Sequence, residues 1–239
     1  MGSEMCIRDS YRIERGASFA EVENFYDENM SLIRIKLNPA ISPAANAQKY
    51  YKDYQKAKNA EHILTEQIEK GRAELEYIDS VLDTVSRAES ERELAQIREE
   101  LTEQGYLRKQ KGKQRPQAAL PPLEFTSSDG FKILVGRNNT QNDKLTLKIA
   151  NKNDMWLHTK DIHGSHTVVF AEGREISDTA ILEAAQLAAY YSKARESSQV
   201  PVDYTLVRYV SKPSGAKPGM VIYVNNKTVY VTPKANISK

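Results

Sequence analysis

The chain has one cysteine, Cys6, and one tryptophan, Trp156, among 239 residues. A single cysteine excludes an internal disulfide framework and a cysteine-built zinc cage, and it points to a reducing compartment, so a cytoplasmic location is expected. No apolar run approaches the roughly 20 residues that span a bilayer, and no membrane segment is expected. The first ten residues, MGSEMCIRDS, lack the cationic start and apolar centre of a signal peptide, and they are expected to be a leader foreign to the fold. The sequence has no GxxxxGK[ST] phosphate loop and no nucleophile elbow, which argues against ATP hydrolysis and serine-type catalysis. It also has no internal repeat.

Charge is abundant but unevenly placed. Lysine and arginine number 34 and aspartate and glutamate 32, a net charge of +2. That near-neutrality hides a separation: residues 105–239 carry +9 and residues 1–104 carry −7. A basic half points to a polyanionic partner, although an ordinary solvated surface has the same composition.

The expected architecture is α+β. Residues 22–26 and 32–37 flank Asp27-Glu28-Asn29 as a β-hairpin, which needs cover from the following helices or from a domain that would precede it. Ser42 caps a helix with Pro43 in its first turn. Ala47, Tyr50, Tyr54, Ala57, Glu61, Leu64, Ile68, Gly71, Leu75, Ile78, Leu82 and Val85 then follow a heptad seam. A shorter helix over 91–103, with Leu94, Ile97 and Leu101 on one face and Gly105 at its end, folds back to make an antiparallel helical hairpin over 46–104. Part of the seam is left without a partner, which opens the possibility of a homodimer. Residues 105–122 are a basic linker. Residues 123–239 should form a mixed α/β domain with a central β-sheet, one long helix from Ser177 to Lys193, and a tight turn at Ser127-Ser128-Asp129-Gly130. Strands are expected at 204–210, 220–224 and 228–231, and a short helix at 142–150. The chain as a whole is expected to be a fragment, with 11–45 the remnant of an N-terminal domain.

The chemistry-bearing residues cluster after Gly136. Arg137, Asn138, Asn139, Gln141 and Asn142 offer amides that both donate and accept, suited to base edges and ribose hydroxyls, with an arginine that can fork onto a phosphate. A polar loop capping the next helix accounts for them equally well. Alternation on a strand puts Trp156 and His158 on one face, a stacking platform for a base with Lys160 near a phosphate, or a tryptophan in the core. Ser165 and His166 follow. Lys212 and Lys217 stand in a Gly/Pro-rich loop that can present cations to phosphates, and Lys193 and Arg195 complete a basic rim beside Tyr190 and Tyr191. His158, His163 and His166 lack the spacing and the companion ligands of a metal site. No catalytic centre, metal or cofactor is expected; an RNA-directed enzyme using Asp154, His158 and His166 is the remaining enzymatic reading.

These motifs, in this order, resemble the NFACT family, the ribosome-associated quality-control group of RqcH, fibronectin-binding protein A and NEMF. The resemblance rests on Asn46-Ala47-Gln48 with Tyr50, Tyr51 and Tyr54, Ser127-Ser128-Asp129-Gly130-Phe131, the 136–143 run, Asp154 with Trp156-Leu157-His158, and Gly164-Ser165-His166. Further matches are Tyr191-Ser192-Lys193-Ala194-Arg195, Val202-Asp203-Tyr204-Thr205 and Lys212-Pro213 with Lys217-Pro218-Gly219. It implies a coiled-coil middle region, an RNA-binding NFACT-R domain over 123–233, and large-subunit rRNA and tRNA as partners, with ribosomal proteins reached through the coil. Full-length bacterial relatives are expected to promote alanine tailing of stalled nascent chains. His163 departs from the family's usual proline at that position, which would loosen the loop. A protein-binding or fibronectin-binding adhesin module is the competing reading.

Overall fold

The computed structural model describes residues 12–24, 27–108 and 119–235. The residues expected to be a leader, 1–10, and most of those expected to be a linker, 109–118, lie outside them. The chain divides into two compact units, Met1–Arg72 and Ala73–Lys239.

In the first unit, β1 (Phe19–Glu23) and β2 (Leu32–Lys36) pair antiparallel, Phe19 opposite Lys36 and Glu23 opposite Leu32. The first strand begins three residues earlier than expected, and the Asn24 N–H donates to the Ser31 carbonyl at 2.9 Å; residues 25 and 26 of the expected strand lie outside the described residues. Helix α1 (Pro43–Arg87) follows. Ser42 Oγ accepts from the Ala45 N–H at 3.2 Å, and Pro43 occupies a first-turn position whose N–H has no helical partner to lose. The start of α1 also covers the hairpin. Buried Asn46 accepts from the Asn38 N–H at 2.8 Å and donates to the Asn38 carbonyl at 3.0 Å, and Tyr50 Oη donates to the Lys36 carbonyl at 2.6 Å. Tyr54, Leu64 and Ile68, further along the same seam, face solvent.

In the second unit the end of α1 meets α2 (Glu91–Glu103), which begins with a reciprocal box between Ser90 and Glu93 and ends at Gly105, φ 84°. The buried face of this hairpin is Tyr77, Val81 and Ile97, whereas Leu75 and Leu82 are 62% and 60% exposed. The expected seam is therefore rotated. Met220 of the following domain packs into the same cluster, and heptad spacing within one helix carries no information about that third contact.

The domain itself is an antiparallel six-stranded sheet in the order β10-β7-β5-β6-β4-β3. Its strands are β3 (Leu123–Thr126), β4 (Lys132–Val135), β5 (Met155–Thr159), β6 (Thr167–Val169), β7 (Val200–Leu206) and β10 (Lys227–Val231). Helix α4 (Asp178–Tyr190) covers one face, where buried Ala180, Ala184, Ala185, Ala188 and Ala189 let its backbone approach the strands. On the other face Leu134, Trp156 and Val168 form a second core with Leu145, Val207 and Val210. Helix α3 (Asn139–Lys144) runs into a π-helical turn, Leu145–Ile149, which resolves the ambiguous period there: Leu145 is buried, while Leu147 and Ile149 are exposed. Three expectations shift. The 204–210 strand is instead β7 followed by a 3₁₀ turn, Val207–Tyr209. The ribbon of β8 (Val210–Ser211) and β9 (Ile222–Tyr223) is separate, so β9 and β10 belong to different sheets. Helix α4 stops at Tyr190 because the Tyr191 carbonyl accepts from the Ser165 N–H and Ser192 bridges Gly164.

Candidate nucleic-acid interface

The amide run after Gly136 is the joint between the helical hairpin and the sheet domain. Arg137 pairs with Glu93 on α2, donates through Nε to the Pro121 carbonyl at 2.9 Å, and its backbone N–H donates to Gln141 Oε1. Asn138 Oδ1 caps α3 by accepting from the Gln141 N–H at 2.8 Å. Asn139 donates to Ser80 Oγ at 2.9 Å, and Gln141 donates to the Leu120 carbonyl at 2.7 Å. Asn142 Oδ1 accepts from the His166 N–H at 3.1 Å. Asn138, Asn139 and Asn142 are buried. Gly136 is required by this arrangement, since a Cβ there would lie 2.1 Å from Asn142 Oδ1. Between Asn139 and Gln141, Thr140 donates from N and Oγ1 to buried Glu100, whose other oxygen accepts from Tyr77 Oη.

The Gly/Pro-rich loop is held the same way. Lys212 pairs with Asp143, which also accepts from the Gly219 N–H at 3.0 Å. Lys217 Nζ sits 4.8 Å from the Tyr106 ring centroid and 5.5 Å from that of Tyr77. Ser165 Oγ accepts from Arg87 at 3.3 Å. The structure thus spends Arg137, the amides, Ser165, Lys212 and Lys217 on internal contacts.

Trp156 is fully buried in the core. His158 stacks on it, centroids 5.8 Å apart and planes 14° apart, and buried His166 meets both rings edge-on. Thr146 Oγ1 lies 2.8 Å from His166 Nδ1. Burial lowers His158 to a pKa of about 4 and His166 to about 3, so both imidazoles are neutral at pH 7 and act as hydrogen-bonding groups. Burial also pushes the Tyr223 hydroxyl up, and its bond to Asp203 at 2.9 Å adds to the shift. Among the described residues no group of three or more histidine, cysteine, aspartate or glutamate side chains is arranged to hold a metal ion.

Three of the expected cations stay at the surface. Lys160 and Lys193 are exposed without an ion pair among the described residues, and Arg195 lies over the Tyr190 ring, 4.0 Å from its centroid. A second basic group was missed by motif reasoning: Lys144, Lys148 and Lys152 are exposed, and Arg208 joins them by donating from Nε to the Lys152 carbonyl at 3.2 Å. Their spacing of four was visible in the sequence; Lys144 and Lys148 stand in the helical segment, and Lys152 in the turn that follows it.

Residues 4–119 match the family described as NFACT N-terminal and middle domains, and residues 122–225 match the NFACT protein RNA binding domain. The Rqc2 homolog RqcH of Bacillus subtilis (strain 168) is 48% identical over 236 residues, covering 98% of this chain and 41% of that protein. The Rqc2 homolog RqcH of Streptococcus suis (strain 05ZYH33) is 42% identical, covering 93% and 40%. The chain thus spans about two fifths of the length of these curated relatives. The solved C-terminal part of the fibronectin/fibrinogen-binding protein from Streptococcus suis is 44% identical with a TM-score of 0.75, covering 80% of this chain and 77% of that one.

Proposed function

This chain belongs to the NFACT family, and on that premise we propose that it is an RNA-binding part of a ribosome-associated quality-control factor, contacting large-subunit rRNA and tRNA. The observation that carries the proposal is a set of exposed cations without an ion pair among the described residues, on the domain that matches the family's RNA-binding region: Lys144, Lys148, Lys152, Lys160 and Lys193. Such cations attract phosphate and release its counterions on binding, so affinity falls with salt. The relatives are named Rqc2 homolog RqcH, which supports the quality-control part of this reading through the resemblance to that group. Alanine tailing belongs, in this reading, to the longer protein.

Co-sedimentation with purified large ribosomal subunits across a salt series tests the proposal. Binding should decline linearly in log–log form, and a salt-independent response or no binding at low salt overturns it. The name of the Streptococcus suis structure supports a second reading, an adhesin module binding fibronectin or fibrinogen. Immobilised fibronectin separates the two, because retention there without retention on RNA favours adhesion.

A further inference from the structure

The two faces of the sheet are not equally covered. Helix α4 closes one, and the second core closes the other over Leu134, Val168 and Trp156. At the β5-β7-β10 end the outermost row of that second face is accessible: Lys160 and Tyr230 are exposed and Pro201 is half-buried, while Asp203 in the next row is buried. In the sheet register Tyr230 lies opposite Pro201, and both Thr228 and His158 lie opposite Asp203. The Lys160 N–H donates to the Pro201 carbonyl at 2.9 Å. Residues opposed across strands share a face, so Lys160, Pro201 and Tyr230 form one cross-strand row, and His158, Asp203 and Thr228 form the row beside it.

The outer row is built to receive a flat ligand next to an anion. Tyr230 is 67% exposed, and among the described residues its ring meets no other aromatic ring. Lys160 is exposed about two strand spacings away, roughly 10 Å, a distance that the backbone of a nucleotide can bridge. The one carboxylate within the two rows, Asp203, is buried, and its oxygens accept hydrogen bonds from Tyr223 and Thr228. Lys193 is an exposed cation beside the loop that follows β5, its backbone N–H donating to the His163 carbonyl at 2.9 Å.

We propose that this accessible end of the sheet is a stacking platform for single-stranded RNA, with an unpaired base lying on Tyr230 and Pro201 and its phosphate held by Lys160. The proposal rests on the RNA-binding reading above and specifies its face and the form of its ligand. A ring standing on a sheet can stack only on a base that has left its own helical stack, so a duplex gains nothing from it.

The test is fluorescence anisotropy of the whole chain with labelled oligo(U) and oligo(A) decamers and a blunt ten-base-pair RNA duplex. Tyr230→Ala should weaken both decamers about tenfold and leave the duplex within about twofold, with an unchanged melting curve. Tyr230→Trp should restore decamer binding. Lys160→Ala should lower the log–log salt slope for the decamers by about 0.7. If the parent binds decamers and Tyr230→Ala binds them equally well, or loses decamers and duplex alike, the platform is refuted while RNA binding stands. If the parent binds no RNA at low salt, both proposals fail.

Discussion

His166 shows how a side chain suited to a reactive site becomes a structural one. Its ring is packed edge-on to Trp156, its Nδ1 faces Thr146 Oγ1, and its backbone N–H is taken by Asn142. Burial holds its pKa near 3, below the ordinary 6.5. The unfolded chain therefore takes up a proton near pH 6.5 that the folded chain refuses until about pH 3. The neutral ring's contribution to stability is complete above pH 6.5 and is lost as pH falls below it. For this residue the loss between pH 7 and 4.5 should be about 2–3 kcal/mol, and His158 adds to it in the same direction. Urea unfolding at the two pH values should show that fall, and His166→Gln should reduce it. Equal pH dependence in parent and variant would remove His166 as its source.

Among the elements, α1 and α2 owe their docking to polar groups as much as to apolar ones. Tyr77, Val81 and Ile97 make the buried contact, and Glu100, Arg137 and Asn139 fix its register through directed bonds. Buried carboxylates and amides tolerate little displacement, because a lost partner leaves a desolvated polar atom. The observed register makes a direct prediction. Val81→Asp should destabilise by about 3 kcal/mol or more, since it places a charge in the cluster, whereas Leu82→Asp, on the exposed side, should stay within about 1 kcal/mol. Thermal melts decide between them, and the reverse order would restore the heptad seam as the buried face.

For the molecule as a whole, the charge separation and the ion pairs act together. Within the described part of the sheet domain, carboxylates neutralise Lys132, Arg137 and Lys212 and leave the Lys144, Lys148 and Lys152 series free. Replacing those three lysines by glutamine should lower the log–log salt slope of RNA binding by about 2, with no change in melting temperature. An unchanged slope would move the phosphate contacts elsewhere, to the Lys160 and Lys193 end. Among the described residues no helix is long and apolar enough to cross a membrane.

Much of this was legible in the sequence. Caps and breakers located α1, α2 and the start of α4, and a Gly-containing turn located β3 and β4, because these signals act within a few residues. Charge and ordered motifs pointed to RNA. Tertiary structure decided which of those residues stay exposed. The amide loop and Trp156 look the same in sequence whether they face solvent or a neighbour; only the hairpin docking on the loop, and the π-helical turn and the 207–224 segment closing over the tryptophan, consumed them. Tyr230 was invisible for the converse reason: alternation marks it as a strand residue, but its exposure depends on β10 being the edge strand and on β9 pairing elsewhere. Local signals set where each element starts and stops, and long-range packing set which of their polar groups remain free to meet a ligand.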